Sequence, residues 1–343
     1  MMRGKPHFSR SRLHAQRGLS LIELMVAMTI GLFLMGAVVI IYVNTSTTSR
    51  SSTLESQMNE DASLALEVLQ QQIRLAGFSS VDASGARLFP GRAVFGCEGT
   101  PSSTSDTAFE SLACNAAGTG PDALAVRYEA TVLNSQPVTN ASGATVPGNC
   151  ANEGIDPWDI SSDGGATSAT TLSLADNRYY IDNDADGTPS LFCRGRTGGG
   201  FGTAIALIPN IEDMQIQYAV TALPTAGNPI PHQVAGYVAA NNAALGATAA
   251  NWSRVAAIRI CLLARSARTV PTGDNPVGTA NPDGTTITPG LGTYVDCAGT
   301  SRTATDRFIR RAYVTTIQLR NMRPGLPADY AAGEDPWTYL YEN

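Results

Sequence analysis

The chain has 343 residues, of which 43% are hydrophobic and 15% are charged. This hydrophobic content can support a packed core, so wholesale disorder is excluded. Glycine (33) and proline (19) are plentiful, which favours β-structure joined by long polar loops over a helical bundle. The net charge of −6 argues against nucleic acid as a partner, because phosphate binding needs a basic face.

Positive charge is concentrated at the amino terminus. Residues 1–18 hold five basic side chains and no acidic one, so the rest of the chain carries −11 against −6 for the whole. Lys5 is the only lysine, and His232 is the only histidine beyond this leader. The body therefore lacks a lysine for Schiff-base chemistry and the histidines that most hydrolase triads and zinc sites need. We predict that the protein is not an enzyme.

An uncharged apolar segment follows the leader. Residues 24–43 contain no charged side chain, and a helix of this length spans ~30 Å, the thickness of a bilayer core. The preceding basic residues predict that residues 1–18 lie in the cytoplasm and that the chain after about residue 44 lies outside. An uncleaved signal anchor or a secretory signal peptide would explain this pattern, although no small-residue cleavage site follows Val43.

Glu23 lies at the membrane edge of this segment. A carboxylate inside a bilayer costs roughly 2.5–3.5 kcal/mol, so such a group normally has a partner. If the chain were cut between Gly18 and Leu19, the new amino group would lie one helical turn from Glu23. It could then pair with the carboxylate of its own chain or of a neighbour.

The residues around this point resemble the class III signal of type IV pilins and pseudopilins: Gly18-Leu19-Ser20-Leu21-Ile22-Glu23, after a basic leader and before an apolar helix. The resemblance implies that a prepilin peptidase cuts after Gly18 and N-methylates Leu19, a position where phenylalanine is commoner. It also implies that Glu23 is the assembly glutamate. The implied organisation is a cleaved leader (1–18), a transmembrane or filament-core helix (19–44), its amphipathic continuation (45–77) and a periplasmic β-rich head (78–343).

The helix is expected to be long. No proline occurs between Pro6 and Pro90, and Gly77 offers a stop, so the sequence predicts a helix over residues 20–76, about 85 Å in length. Beyond the membrane, apolar residues at steps of three and four predict a stripe that packs on a sheet: Leu54, Met58, Ala62, Ala65, Leu69, Ile73 and Ala76. The side chains expected to face away are Glu55, Glu60, Glu67 and Gln71.

The remainder predicts an antiparallel β domain, and a helix packed on such a sheet defines an α+β fold. The predicted strands are 123–132, 171–175, 178–181, 191–194, 204–208, 214–220, 256–264 and 312–319. The predicted loops, rich in Gly, Pro, Ser, Thr and Asn, are 79–120, 134–169, 221–251 and 266–302.

Several segments resemble PilW-type minor pilins: 72–78, Gly96-Cys97, 210–218, 255–260 and 311–321. The middle segments occur in looser form in the J-type pseudopilin of type II secretion, whereas the helix end (72–78) and the closing strand (311–321) favour the PilW type. The resemblance implies a protein that primes type IV pilus assembly and sits at the pilus tip, with links to cell adhesion and twitching motility. The implied partners are other minor pilins, the major pilin, a PilY-type tip adhesin, the prepilin peptidase and the inner-membrane assembly platform.

Two alternatives to the minor pilin stay open at this stage. One is the J-type pseudopilin. The other is a membrane-anchored periplasmic enzyme or binding protein, which would not explain Glu23 or the glycine processing site. The implied localisation is the inner membrane, crossed once with a periplasmic head, and then the pilus at the cell surface.

Six cysteines follow the membrane segment: Cys97, Cys114, Cys150, Cys193, Cys261 and Cys297. An even set on the oxidising side predicts disulfides. Fifteen connectivities are possible, and pairing of nearest neighbours is favoured because it closes long loops.

One constellation suggests a metal. Asp182, Asp184 and Asp186 precede Gly187 in the pattern D-x-D-x-D-G, which opens a calcium-binding loop. The twelfth position is Cys193 instead of glutamate, and the flanks predict strands, so a β-hairpin tip without metal is favoured over calcium. A bound ion would need a further carboxylate such as Asp176. No other cofactor is expected.

The carboxy-terminal aromatic residues alternate along the sequence: Trp337, Tyr339 and Tyr341. They predict either packing on the domain or an anchor for a partner subunit.

Overall fold

A computed structural model describes residues 20–80, 88–89, 91–104, 108–115, 118, 120–163, 171–223, 225, 233–246, 248–270 and 292–322. The chain divides into two compact units, Met1–Arg50 and Ser51–Asn343. Gly18, Leu19, His232 and the three carboxy-terminal aromatic residues lie outside the described residues.

A single long helix, α1, spans Leu21–Leu75 and contains 55 residues. Its bounds confirm the predicted helix to within one residue at each end. The helix stops at Gly77, whose φ of +76° lies in the left-handed region that favours glycine. A Cβ atom at Gly77 would also lie only 2.7 Å from the carbonyl oxygen of Asn321. Glycine is therefore required here both for the turn and for the close approach of the chain.

In the second compact unit, α1 buries one face in the core. Six of the seven predicted stripe residues, from Met58 to Ala76, have no exposed surface, and Leu54 is half-buried. Glu60, Glu67 and Gln71 are exposed as predicted, whereas Glu55 is half-buried. The helical period of 3.6 residues thus determines which face of this part of α1 is buried.

Sixteen strands are present among the described residues. The first ten are β1 (Val94–Cys97), β2 (Ala123–Glu129), β3 (Pro137–Thr139), β4 (Thr145–Pro147), β5 (Trp158–Asp159), β6 (Thr171–Leu172), β7 (Leu174–Asn183), β8 (Pro189–Thr197), β9 (Gly200–Phe201) and β10 (Ile205–Pro209). The others are β11 (Ile211–Thr221), β12 (Val234–Val238), β13 (Val255–Arg265), β14 (Thr293–Val295), β15 (Ser301–Thr303) and β16 (Arg310–Gln318). A four-residue helix, α2, covers Ala249–Trp252, and 3-10 helices cover Phe109–Ser111 and Ile160–Asp163.

The strands form two main antiparallel sheets. The larger sheet has the order β1-β2-β7-β8-β10, with β9 paired to β8, and the smaller has the order β12-β11-β13-β16. Pairs β3–β4, β5–β6 and β14–β15 form small separate ladders. The long helix and these antiparallel sheets confirm the α+β, pilin-like fold.

Side chains of α1 contact both main sheets. The Gln72 side-chain oxygen accepts hydrogen bonds from the Tyr128 hydroxyl (3.0 Å) and the Asn177 amide (2.9 Å), both in the larger sheet. The Gln70 amide donates to the Thr315 hydroxyl of the smaller sheet (3.3 Å). The core of the head therefore lies between the amphipathic part of α1 and the two sheets.

Each predicted strand has an observed counterpart, and the predicted segments 171–175 and 178–181 fall in β6 and β7. The four predicted loops were partly wrong, because they contain short strands: β1, β3 to β5, β12 and β14. These strands have two to five residues. Such lengths are too short to show hydrophobic alternation, so turns and neighbouring strands determine their pairing.

Candidate assembly site

The amino-terminal end of α1 is capped by Ser20. Its hydroxyl oxygen accepts a hydrogen bond from the Glu23 backbone N–H (3.2 Å), and its carbonyl oxygen accepts one from Leu24 N–H (3.2 Å). Serine followed three residues later by glutamate is the sequence pattern of a capping box. The acidic side chain of Glu23 lies in the first turn, where the helix dipole favours negative charge.

The first part of α1 presents apolar side chains all round. The large hydrophobic residues between Leu21 and Val43 are between 47% (Leu24) and 84% (Phe33) exposed. Among the described residues, α1 is the one helix long and apolar enough to cross a membrane, judged by length and composition. A surface of this size on one element requires lipid or other apolar helices as its surroundings.

The apolar segment ends in a band of hydroxyl side chains. From Asn44 to Thr53 the chain contains only Asn, Ser, Thr and one Arg. The Thr48 hydroxyl donates to the Asn44 carbonyl oxygen (2.9 Å), so part of the polarity is satisfied within the helix. The band separates the segment that needs an apolar environment from the amphipathic stripe that starts at Leu54.

Of the predicted processing and assembly residues, the structure describes Glu23 only. Gly18 and Leu19 lie outside the described residues. Pairing between the Leu19 amine and the Glu23 carboxylate therefore stays a prediction, as do cleavage after Gly18 and methylation of Leu19.

The six cysteines form three disulfides in the structure: Cys97–Cys114, Cys150–Cys193 and Cys261–Cys297. This is the nearest-neighbour pairing. Two of the bonds attach loops to the long strands β8 and β13, and the third closes the segment after β1. Such cross-links limit the freedom of loops that contribute little to the core.

The acidic sequence between β7 and β8 forms a hairpin turn. The Asp184 Oδ1 atom accepts hydrogen bonds from the backbone N–H groups of Asp186 (3.0 Å) and Thr188 (2.8 Å). Gly187 completes the turn with a φ of +75°. Asp184 is thus engaged with the backbone, as expected of an Asx turn.

Three other turns repeat this arrangement. Their first side chains are Asn140, Asn149 and Asp296, and each accepts backbone N–H bonds from the residues two and four positions later. Two of these turns use asparagine, so the geometry does not depend on a carboxylate. The turn therefore accounts for the residue at position 184, where asparagine would serve as well.

The described residues contain no group of three or more His, Cys, Asp or Glu side chains arranged to hold a metal. Asp176 cannot serve as the additional ligand, because it is buried in an ion pair with Arg178 (2.7 Å). It also lies six residues before Asp182 on β7, which corresponds to about 20 Å along a strand. Calcium binding at Asp182, Asp184 and Asp186 stays an untested prediction.

Sequence reasoning missed Asp122, a buried acid that links the two sheets. Its carboxylate accepts hydrogen bonds from Gly99 N–H (3.1 Å) and from Ile216 N–H in β11 (2.7 Å). Burial raises the pKa of Asp122 to about 7, and the nearby charges of Glu98 and Asp213 add to this effect. No sequence signal distinguishes this acid, because both of its partners are backbone groups.

An aromatic cluster also links the sheets. The Trp252 ring lies 5.1 Å from the Tyr218 ring, edge to face, and 5.3 Å from the Phe95 ring. Gly96 makes room for Tyr218, since a Cβ atom there would lie 1.8 Å from the tyrosine oxygen. This contact gives a physical reason for the glycine in the Gly96-Cys97 landmark.

Two family models match the chain. Residues 13–39 match the prokaryotic N-terminal methylation motif, and residues 178–321 match the type IV pilus-assembly protein W. The first match covers the last residues of the basic leader, the capping residue Ser20 and most of the apolar segment. The second begins within β7 and ends just after β16, so it covers the smaller sheet and, of the larger sheet, part of β7 together with β8, β9 and β10. No curated protein and no solved structure matches the chain.

The methylation motif, the apolar helix and the antiparallel head define a protein of the type IV pilin class. Within this class, the match of residues 178–321 to the pilus-assembly protein W and the methylation motif together support a PilW-type minor pilin of the type IV pilus. This assignment implies interaction with other pilins and processing by a prepilin peptidase. It points to a structural role instead of an enzymatic one, and to attachment to a membrane.

Proposed function

We propose that this minor pilin primes assembly of the type IV pilus and then sits at the pilus tip with other minor pilins. The observation that carries the proposal is the continuous apolar surface of residues 24–43, which follows the capped turn that contains Glu23. A helix with this surface can move out of the lipid bilayer and pack against the apolar helices of other subunits. No catalytic step is part of this role.

The mechanism starts with hydrolysis after Gly18, which creates the Leu19 amine. Glu23 then pairs with a terminal amine, either its own or that of a neighbour, and this pairing sets the axial register between subunits. The apolar segment passes from the bilayer into the helical core of the filament and stays shielded from water throughout.

The head selects the neighbours. We propose that it contacts other minor pilins, the major pilin and a PilY-type tip adhesin after a stage in the inner membrane with a single crossing and a periplasmic head. Few copies suffice at a tip, so the large loops between the strands need not pack along the whole fibre.

The test combines processing with piliation. Intact mass is measured for the protein from cells with and without the prepilin peptidase, and surface pili are counted for wild type and Glu23→Ala. Loss of residues 1–18 plus one added methyl group, with few pili in the variant, is the expected result. An uncut chain would contradict the proposal, and cleavage with normal piliation would favour a secretion pseudopilin.

A further inference from the structure

We propose that the outer edge of β16 binds an extended segment of another pilus subunit, which adds a strand to the smaller sheet and carries acidic side chains towards its ends. The inference rests on the proposed function, because it names one surface with which the head selects its neighbours. Its basis is the position of β16 at one edge of the order β12-β11-β13-β16. Among the described strands, β16 pairs with β13 alone.

The hydrogen bonds at the two ends of β16 show which backbone groups point outward. The Ile309 carbonyl oxygen accepts a hydrogen bond from Ser266 N–H (2.8 Å), and Leu319 N–H donates to the Ala256 carbonyl oxygen (2.9 Å). The register between these bonds has no shift, and every second residue of an antiparallel strand bonds to a given partner strand. The odd-numbered residues from 309 to 319 therefore bond to β13. The even-numbered residues direct their N–H and C=O groups away from it.

The other three edges of the two main sheets are short or interrupted. The strand β1 has four residues, and β10 and β12 have five each. Both β10 and β12 pair with a register shift, and β10 ends at Pro209. Such features are common protections against the addition of a further strand. The strand β16 has nine residues in continuous register and contains neither glycine nor proline. Of the described edges, it is the one best suited to accept another strand.

The second half of β16 is the accessible part. The hairpin of β14 and β15 lies near the first half: a disulfide ties it to β13, and the Tyr294 ring lies 5.3 Å from the Arg310 guanidinium. Beyond this contact, Val314 is 59% exposed, and Thr316 and Gln318 are also exposed. These three even-numbered residues thus present backbone groups and side chains that a partner strand can reach.

The charge at this edge indicates the chemistry of the partner. Residues 307–320 contain four arginines and no acidic residue, although the whole chain carries −6. Two carboxylates already bind Arg310. Arg311 and Arg320 lie at the two ends of the accessible part and are exposed, and within the described part of the chain neither forms an ion pair. Acidic side chains on an added strand would complement them, whereas a second copy of β16 would bring like charges together.

The residues between these two arginines carry no charge. They include four β-branched side chains in sequence, Val314, Thr315, Thr316 and Ile317, of the type that packs well across neighbouring strands. In strand addition, main-chain hydrogen bonds provide affinity and alternate side chains provide specificity. The partner segment is therefore expected to have uncharged, β-branched residues at its centre and Asp or Glu towards its ends.

The test uses photo-cross-linking of the full-length protein in piliated cells, with Val314→benzoylphenylalanine as the probe. Irradiation should link position 314 to another pilus subunit, and mass spectrometry of the linked peptide should identify a segment of the stated chemistry. Thr316→Pro, added to the same protein, removes one outward N–H and leaves the β13 ladder intact, so it should lower the yield roughly 2- to 10-fold. Thr316→Val is the matched control, because it keeps both the N–H and the β-branched shape.

Further variants separate binding from folding and test the charge. Urea unfolding of each variant checks that the head is intact. If Thr316→Pro destabilises the head, Gln318→Pro makes the same test at the end of the strand, where the outward N–H is again lost. Arg320→Glu should lower the yield of the cross-link about 2- to 5-fold, and Arg320→Lys should leave it unchanged.

Three results would overturn the inference. They are the absence of a link to another subunit, a link only within the chain or to a second copy, and equal yields from the proline and valine variants with a stable head. If the protein were nevertheless cleaved and the cells piliated, the proposed function would stand and only the role of β16 would be lost. A wild-type chain that stays uncut would instead contradict the proposed function.

Discussion

The buried carboxylate of Asp122 makes the stability of the head depend on pH. Its folded-state pKa is about 7 against an ordinary value of 3.8, and each pKa unit corresponds to about 1.4 kcal/mol. The folded state binds this proton more tightly than the unfolded state does. The resulting stabilisation is complete below pH 3.8 and is lost as the pH rises through 7, with a total of roughly 4 kcal/mol at most.

Asp122→Asn removes this titration. The amide keeps one acceptor oxygen but places an NH2 group against the second backbone N–H, from either Gly99 or Ile216. We expect the variant to be less stable than wild type at pH 5, by about 1–3 kcal/mol for the unsatisfied group. The difference should fall by about 2.7 kcal/mol between pH 5 and pH 8.5 and so vanish or reverse, because only wild type must bury a charge at the higher pH.

The assay is urea unfolding of the full-length protein in detergent, with disulfides intact, between pH 5 and pH 8.5. The fluorescence of Trp158 and Trp252 reports on the head, since both are buried. Burial also raises the pKa of Asp213, so some pH dependence remains in the variant. Asp186→Asn, in the exposed turn before β8, is the control and should follow wild type. If the free energy of unfolding changed with pH in the same way for wild type and Asp122→Asn, the reasoning would be refuted.

Three further predictions concern the head, and each is measured by thermal or urea unfolding. Leu69→Ala, in the buried stripe of α1, should cost about 3 kcal/mol; a loss as small as that of an exposed residue would show that the stripe does not carry the packing. Gly96→Ala should cost at least ~2 kcal/mol, because the new methyl group would overlap Tyr218; an unchanged midpoint would argue against that contact. Asp184→Asn should unfold like wild type with calcium or with a chelator, because asparagine forms the same turn elsewhere in the chain. A calcium-dependent rise in the wild-type midpoint would instead support a metal site.

Elements with long periodic patterns were the ones that could be predicted most reliably from the sequence. The stripe on α1 extends over six turns, and β11 and β13 each contain eleven residues. Their apolar residues repeat often enough to fix both the element and its buried face. The class III motif was equally readable, because a leader, a glycine and an intramembrane acid rarely occur together by chance.

Other features could not be predicted because they depend on contacts distant in sequence. Asp122 acquires its role from the backbone of Ile216, which lies 94 residues later. The short strands β3 and β14 arise next to Asx turns. A repeated pattern, Asn or Asp followed three residues later by Gly or Asn, was present at all four turns and could have revealed these hairpins. At Asp184 the neighbouring acids give the same pattern the appearance of a calcium-binding loop.

The two parts of α1 differ in what surrounds their exposed side chains, although each part exposes large hydrophobic residues. Phe33 is 84% exposed in the apolar segment, and Leu64 is 47% exposed on the outer face of the amphipathic part. Exposure alone does not separate them. Their neighbours do, because Phe33 lies within a run of twenty residues without a charge, whereas Leu64 lies between the exposed acids Glu60 and Glu67.

This difference predicts opposite outcomes for the same substitution. Phe33→Asp places a charge near the middle of the membrane segment and should cost ~2.5–3.5 kcal/mol for insertion, so membrane recovery and pilus number should both fall. Leu64→Asp changes a surface residue and should alter the free energy of unfolding by no more than ~0.5 kcal/mol, with normal recovery from membranes. The assay compares membrane-fraction yield, head unfolding and surface pili for both variants. If Leu64→Asp abolished piliation while the head stayed stable, the outer face of the amphipathic part would be a subunit interface and the solvent-exposed assignment would be wrong. If Phe33→Asp assembled normally, the apolar segment would not enter the filament core, and the mechanism proposed for this minor pilin would fail.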